Sequence, residues 1–69
     1  MAYDYRKLQG AIKEKFKNQS EFAKAIGMGE STLSLKLNNK AEWSQEEMLL
    51  ALSILNKPID DVKEYFFAH

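Results

Sequence analysis

Few residues in this 69-residue chain could carry out a reaction. The single histidine, His69, is the last residue of the sequence, where nothing nearby would orient it as an acid, a base or a metal ligand. There is no cysteine, and so no thiolate nucleophile, disulfide framework or thiolate metal site. The three glycines form no phosphate-cradling run. The adjacent acids Glu46-Glu47 and Asp60-Asp61 are explained by the first turns of helices, where the dipole favours carboxylates. No enzyme, metal or cofactor is therefore expected. What remains is binding chemistry, concentrated between Gln19 and Lys40. Ala23 stands four residues before Gly27, and Leu33 six after it. A small residue lets a second helix cross close by, a glycine permits the tight turn, and an apolar residue anchors the second helix while its outer face stays free. This is the layout of a helix-turn-helix. The same spacing also fits an ordinary corner in an unrelated helical bundle.

The elements that must position this segment are all helical. Tyr5, Leu8, Ile12 and Phe16 recur at three- and four-residue steps, predicting a first helix over Tyr5 to Phe16 with Asp4 as its N-cap. Asn18 with Glu21 reads as a capping box opening a helix from Gln19 to Ile26, with Phe22, Ala23 and Ile26 inward. Gly27 ends it, Met28-Gly29 turns, and a third helix runs from Glu30 to Leu37 or Asn38. Ser44 with Glu47 forms a second capping box, flanked by a Trp43–Met48 hydrophobic staple. The helix it opens, Gln45 to Leu55, is expected to be central and buried through Met48, Leu49, Ala51, Leu52 and Leu55. Asn56-Lys57-Pro58 breaks it. A last helix follows from Ile59 or Asp60 to Phe67. No stretch alternates as a strand would. The expectation is one all-α domain of five short helices over residues 1–69.

Composition bounds the function further. Aliphatic and aromatic residues make up 45% of the chain, enough for one small core. The longest apolar run, Met48 to Leu52, is far short of the ~20 residues of a membrane span. No signal-peptide pattern follows Met1 to Lys7, and a cytoplasmic protein with no membrane association is expected. Net charge is zero but unevenly distributed. Residues 1–40 hold eight of the ten Lys and Arg and four of the ten acids, a net of +4; residues 41–69 carry −4. The basic half holds the helix-turn-helix spacing, whereas a strong non-specific nucleic-acid binder would usually have a pI above about 9.

The run from Gln19 to Ser34, QSEFAKAIGMGESTLS, resembles the helix-turn-helix of phage repressors and Cro proteins, commonly T-Q-x-x-L-A-x-x-x-G-[VM]-S-x-S-T-[IV]-S. Leu35 to Lys40 resembles that family's stretch ending in an N-G-K type loop. Tyr3-Asp4-Tyr5 with Lys7-Leu8, then Ser34 to Asn38, and Glu64-Tyr65-Phe66-Phe67 are similar to the small lysis–lysogeny regulators of Gram-positive phages, both Cro-like proteins and modulators of repression. The likeness implies a compact five-helix lambda-repressor-like (Cro/C1-type) domain with Glu30 to Leu37 as recognition helix in the DNA major groove. It implies a DNA-binding surface of Gln19, Ser20, Gly29, Glu30, Ser31, Thr32, Ser34, Leu35, Lys36, Asn38, Asn39 and Lys40. Glu30, Ser31 and Ser34 would meet base edges. Gln19 and the Asn38-Asn39-Lys40 loop would contact phosphates, and Lys24 and Lys36 would add positive potential. Each has a plainer role: Ser31 and Thr32 at a helix start, Asn38-Asn39 at a helix stop, Lys24 and Lys36 as surface charges. Two residues depart from the pattern. Lys36 stands where family members have a buried aliphatic residue, which turns Leu35 outward, and Glu30 is repelled by phosphates unless a base pairs with it.

Two functions follow from this. One is an operator-binding Cro-like regulator, dimeric through the aromatic C-terminal helix (Tyr65, Phe66, Phe67), unless those rings complete the core. The other is a modulator of repression that contacts the partner phage repressor, favoured by the neutral charge, Glu30 and an exposed Leu35. An antitoxin role is a third option on the same fold.

Overall fold

The local signals decide where each helix starts and stops. The computed structural model describes residues 2–69. Among them are α1 (Arg6–Lys15), α2 (Gln19–Ile26), α3 (Glu30–Leu37), α4 (Gln45–Ile54) and α5 (Val62–Phe66), with a 3-10 turn at Ile59–Asp61 leading into α5. No strand occurs among the described residues. At α2 the Asn18 Oδ1 accepts the Glu21 backbone N–H at 2.9 Å, while Glu21 returns no bond to Asn18, so this cap is one-sided. At α4 the box is complete. Glu47 N–H donates to Ser44 Oγ at 3.1 Å, and Ser44 N–H donates to Glu47 Oε1 at 2.9 Å. Gly27 leaves α2 at φ 76, in the left-handed region that suits glycine. Asn56 does the same for the exit from α4 at φ 58, ahead of Pro58.

Three expectations about the helices need correction. Asp4 does not cap α1; Tyr5 holds that position without a side-chain bond. Asp4 instead accepts the Arg6 backbone N–H at 2.9 Å and grips its guanidinium at 2.8 Å. Those hydrogen bonds hold the Asp4 carboxyl down at about 2. The last helix is shorter than expected, because Ile59–Asp61 winds as a 3-10 turn. α4 is not buried all round. Leu49, expected in the core, is 46% exposed, as is Leu50, because the helix packs on one side only.

The core gathers one stripe from each helix: Leu8, Ala11 and Ile12; Phe22, Ala23 and Ile26; Leu33 and Leu37; Ala51 and Leu52; Tyr65 and Phe66. Tyr5, Trp43 and Leu55 close it from the connecting segments. α2 packs on α3 and α4, and α5 lies between α1 and α4. Lys7 ties α1 to α5 through Glu64 at 3.1 Å. The two chain ends meet where Asp4 N–H donates to the Ala68 carbonyl at 2.7 Å. No helix among the described residues is long and apolar enough to cross a membrane.

Candidate interaction surface

α2 and α3, joined by Gly27-Met28-Gly29, present the expected segment as two packed helices with a tight turn. The two inward anchors of α3, Leu33 and Leu37, leave the opposite side to solvent. There Glu30, Ser31, Thr32, Ser34 and Leu35 are exposed, with Leu35 at 46%. Gly29 caps α3 and is exposed; Gln19 is exposed at the first position of α2, and Ser20 is half-buried.

The structure takes Lys36 out of the expected positive surface and gives Asn38 and Asn39, both exposed, bonds within the fold. Lys36 is buried. Its ammonium donates to the Glu42 carbonyl at 2.7 Å and to Glu47 Oε1 at 2.8 Å, and lies 5.9 Å from the centre of the Trp43 ring. The long stem fills the space an aliphatic residue would take, and the head is neutralised by the N-terminal turn of α4. Burial pushes the Glu47 carboxyl up, but the Lys36 ammonium and the Ser44 bonds together outweigh that and hold it below the usual carboxylate value. Asn38 turns its amide back to the Ser34 carbonyl at 2.8 Å and so closes its own helix end. Asn39 sits at φ 62 and clamps the N-terminal segment: Tyr3 N–H donates to its Oδ1 at 2.9 Å, and its Nδ2 donates to the Tyr3 carbonyl at 2.8 Å. With Lys36 gone inward, Glu30 is the one charged residue left on the outer face of α3. Lys24 and Lys40 are exposed on the neighbouring segments.

A second surface lies between the chain ends. A groove of about 430 Å³ is lined by Tyr3, Tyr5, Trp43, Met48, Phe66 and Phe67, with Asn39 to Glu42 at its rim. Trp43 meets Phe66 edge-on at 5.0 Å, and Tyr3 meets Phe67 edge-on at 5.6 Å. Phe67 is 40% exposed, whereas Tyr65 and Phe66 are buried. The C-terminal helix therefore does not offer three rings to a dimer partner; two complete the core and one borders the groove. The indole N–H of Trp43 is buried and finds no acceptor among the described residues. An unmet donor of this kind costs about 1–3 kcal/mol. Tyr3 and Asn39 lie 36 residues apart and carry no local signal for each other, so the clamp and the groove it shapes have no signature in the sequence.

Residues 1–69 match the family model described as protein of unknown function (DUF739). The chain belongs to the DUF739 family. This DUF739 chain is also similar to a solved structure, the solution structure of the modulator of repression of the temperate bacteriophage TP901-1 from Lactococcus lactis. The two share 46% identity and a TM-score of 0.84, over 97% of this chain and 90% of that one. Among curated proteins no significant match is found. Of the two groups that the sequence resembles, the likeness falls on the modulators of repression, and nothing found supports the Cro-like half of that expectation.

Proposed function

We propose that this chain is a phage modulator of repression: a non-catalytic protein that acts in a lysis–lysogeny switch by contacting the partner repressor. The observation that carries the reading is the whole-chain likeness to the TP901-1 modulator, at 46% identity over 97% of the chain. The electrostatics of α3 support it. A helix that enters the major groove works in the field of phosphates and relies on nearby cations for affinity. Here the one cation of α3 is consumed inside the fold and Glu30 remains outside. The groove supports it too, since protein contacts draw most of their energy from a few aromatic anchors in partly buried pockets. Phe67 on its border is the exposed aromatic, at 40% exposure.

Direct operator binding through α3 is the second reading. The exposure of Ser31, Thr32 and Ser34 on one helix face favours it. A gel shift with operator DNA, with and without the repressor encoded in the same switch, separates the two. The expected result is a complex with the repressor and no shift of operator by this chain alone at low salt. A shift by the chain alone that weakens steeply with added salt would support the DNA reading and overturn the first. Phe67→Glu should weaken repressor capture by about tenfold or more, and Leu35→Glu by less than about threefold. The reverse ranking would move the contact to α3. Capture unchanged in both variants would remove both surfaces.

A further inference from the structure

α4 leaves one face without a partner. Leu49 and Leu50 are each 46% exposed, and Glu46 and Ser53 share their side of the helix, opposite Ala51, Leu52 and Leu55. The charges at the two ends of this helix are opposite and unmatched. Glu46 makes no ion pair among the described residues. At the far end the Lys15 ammonium is held by a neutral group, the Ile54 carbonyl, at 2.5 Å. At 1.5 Å per residue, about 12 Å of helix separate Glu46 from Ile54, with the leucine pair midway. A two-fold axis through that pair, with the two helices antiparallel, sets Glu46 of each copy beside position 53 of the other. That position adjoins the carbonyl that holds Lys15. One operation thus carries each Glu46 toward the helix end where the Lys15 of the other copy is anchored, as a self-complementary interface requires.

We propose that this face of α4 is a self-association surface. Its occupant is α4 of a second copy of the chain, joined through Leu49, Leu50 and two symmetric Glu46–Lys15 pairs. The proposal does not rest on the repressor reading. The patch is small: a stable dimer buries about 800 Å² per partner, and one flank of a helix about 15 Å long supplies well under that. The association is therefore weak, with a dissociation constant on the order of 0.1–1 mM, and it acts where two copies are held close together.

Sedimentation equilibrium and amide chemical shifts of the full chain, over about 0.02–2 mM, test it. The expected result is a mass that rises with concentration and shifts confined to α4 and Lys15. Leu50→Glu, at an exposed position and with circular dichroism as the folding control, should abolish both. Lys15→Glu should weaken the association by about threefold or more, and adding Glu46→Lys to that variant should restore it. A monomer mass throughout the range, or a concentration dependence that survives Leu50→Glu, overturns the proposal. So does a chain that is monomeric throughout and loses repressor capture on Leu50→Glu, which would assign the face to another protein.

Discussion

The outer face of α3 and the groove between the chain ends differ in what their residues are bonded to. On α3, Ser31, Thr32, Ser34 and Leu35 face water and leave the holding of the helix to Leu33 and Leu37. In the groove, Tyr5, Trp43 and Phe66 are core residues and surface lining at once. The face with the recognisable signature is the one that contributes least to holding the fold. The region without a signature is assembled from distant segments and carries much of the stability. Trp43 joins the two: Lys36, drawn in from α3, lies against its ring, and Phe66 packs edge-on to it.

The largest expected contrast is therefore in stability. Trp43→Ala removes a buried indole between α4, α5 and the N-terminal segment and should cost about 3–5 kcal/mol. Leu35→Ala should stay within about 0.5 kcal/mol. Urea denaturation of the two variants checks this. Equal costs would show that the α3 face supports the fold no less than the groove does. The next contrast lies inside the link between them. Glu47→Ala leaves the buried Lys36 ammonium with the Glu42 carbonyl alone and breaks the α4 capping box, at about 3 kcal/mol. Lys36→Met keeps the packed stem and removes the charge that needs a partner, so it should cost less than about 1 kcal/mol. A loss in Lys36→Met as large as in Glu47→Ala would mean that the ion pair itself, not the packed stem, decides how α3 leaves for α4.

The sequence is most informative where one segment satisfies itself. Gly27, the Ser44–Glu47 box and the inward steps of Phe22, Ala23 and Ile26 are local, and each lies where its spacing indicates. Leu49 lies outside the core against expectation, because an apolar residue on a short helix does not say which flank its neighbours cover. Lys36 departs from its expected surface role for a related reason. A lysine near the end of a short helix looks like surface charge, and only the approach of Glu47 and the Glu42 carbonyl, 11 and 6 residues on, makes it a core residue. The α3 face can be named from its pattern; the groove cannot, because Tyr3, Asn39, Trp43 and Phe67 meet only after the chain closes.

The Asn39 clamp is a smaller lever on the same comparison. Asn39→Gly keeps the left-handed backbone at φ 62 and loses the two amide bonds to Tyr3, at about 1 kcal/mol given their exposure. Asn39→Ala adds the strain of a Cβ in that region and should cost about 1 kcal/mol more. Both should loosen the groove and leave α3 unchanged, which amide exchange at Tyr3 and at the α3 amides would show. Equal protection changes at the two places would mean that the clamp belongs to α3 as much as to the groove.

The smallest effect is the dependence on pH, and its sign follows from Glu47. Burial raises this carboxyl, but the Lys36 ammonium and the Ser44 bonds win and lower it from the ordinary 4.5. A carboxyl that is more acidic folded than unfolded binds its proton more readily in the unfolded chain. Its stabilisation is thus fully present above the ordinary value and is lost as the pH falls through the lowered folded value. Asp4 acts in the same sense, from the ordinary 3.8 down to about 2, but it is half-buried beside Arg6 and distant in sequence from this pair. Urea stability measured from neutrality down to about pH 2.5 should fall across this window in the wild type and in Leu35→Ala alike. In Lys36→Met the ammonium that lowers Glu47 is gone, burial weighs against the remaining Ser44 bonds, and the decline should be shallower. An acid limb equally steep in Lys36→Met would place the sensitivity elsewhere and remove the Lys36–Glu47 pair as the electrostatic joint between the α3 face and the groove.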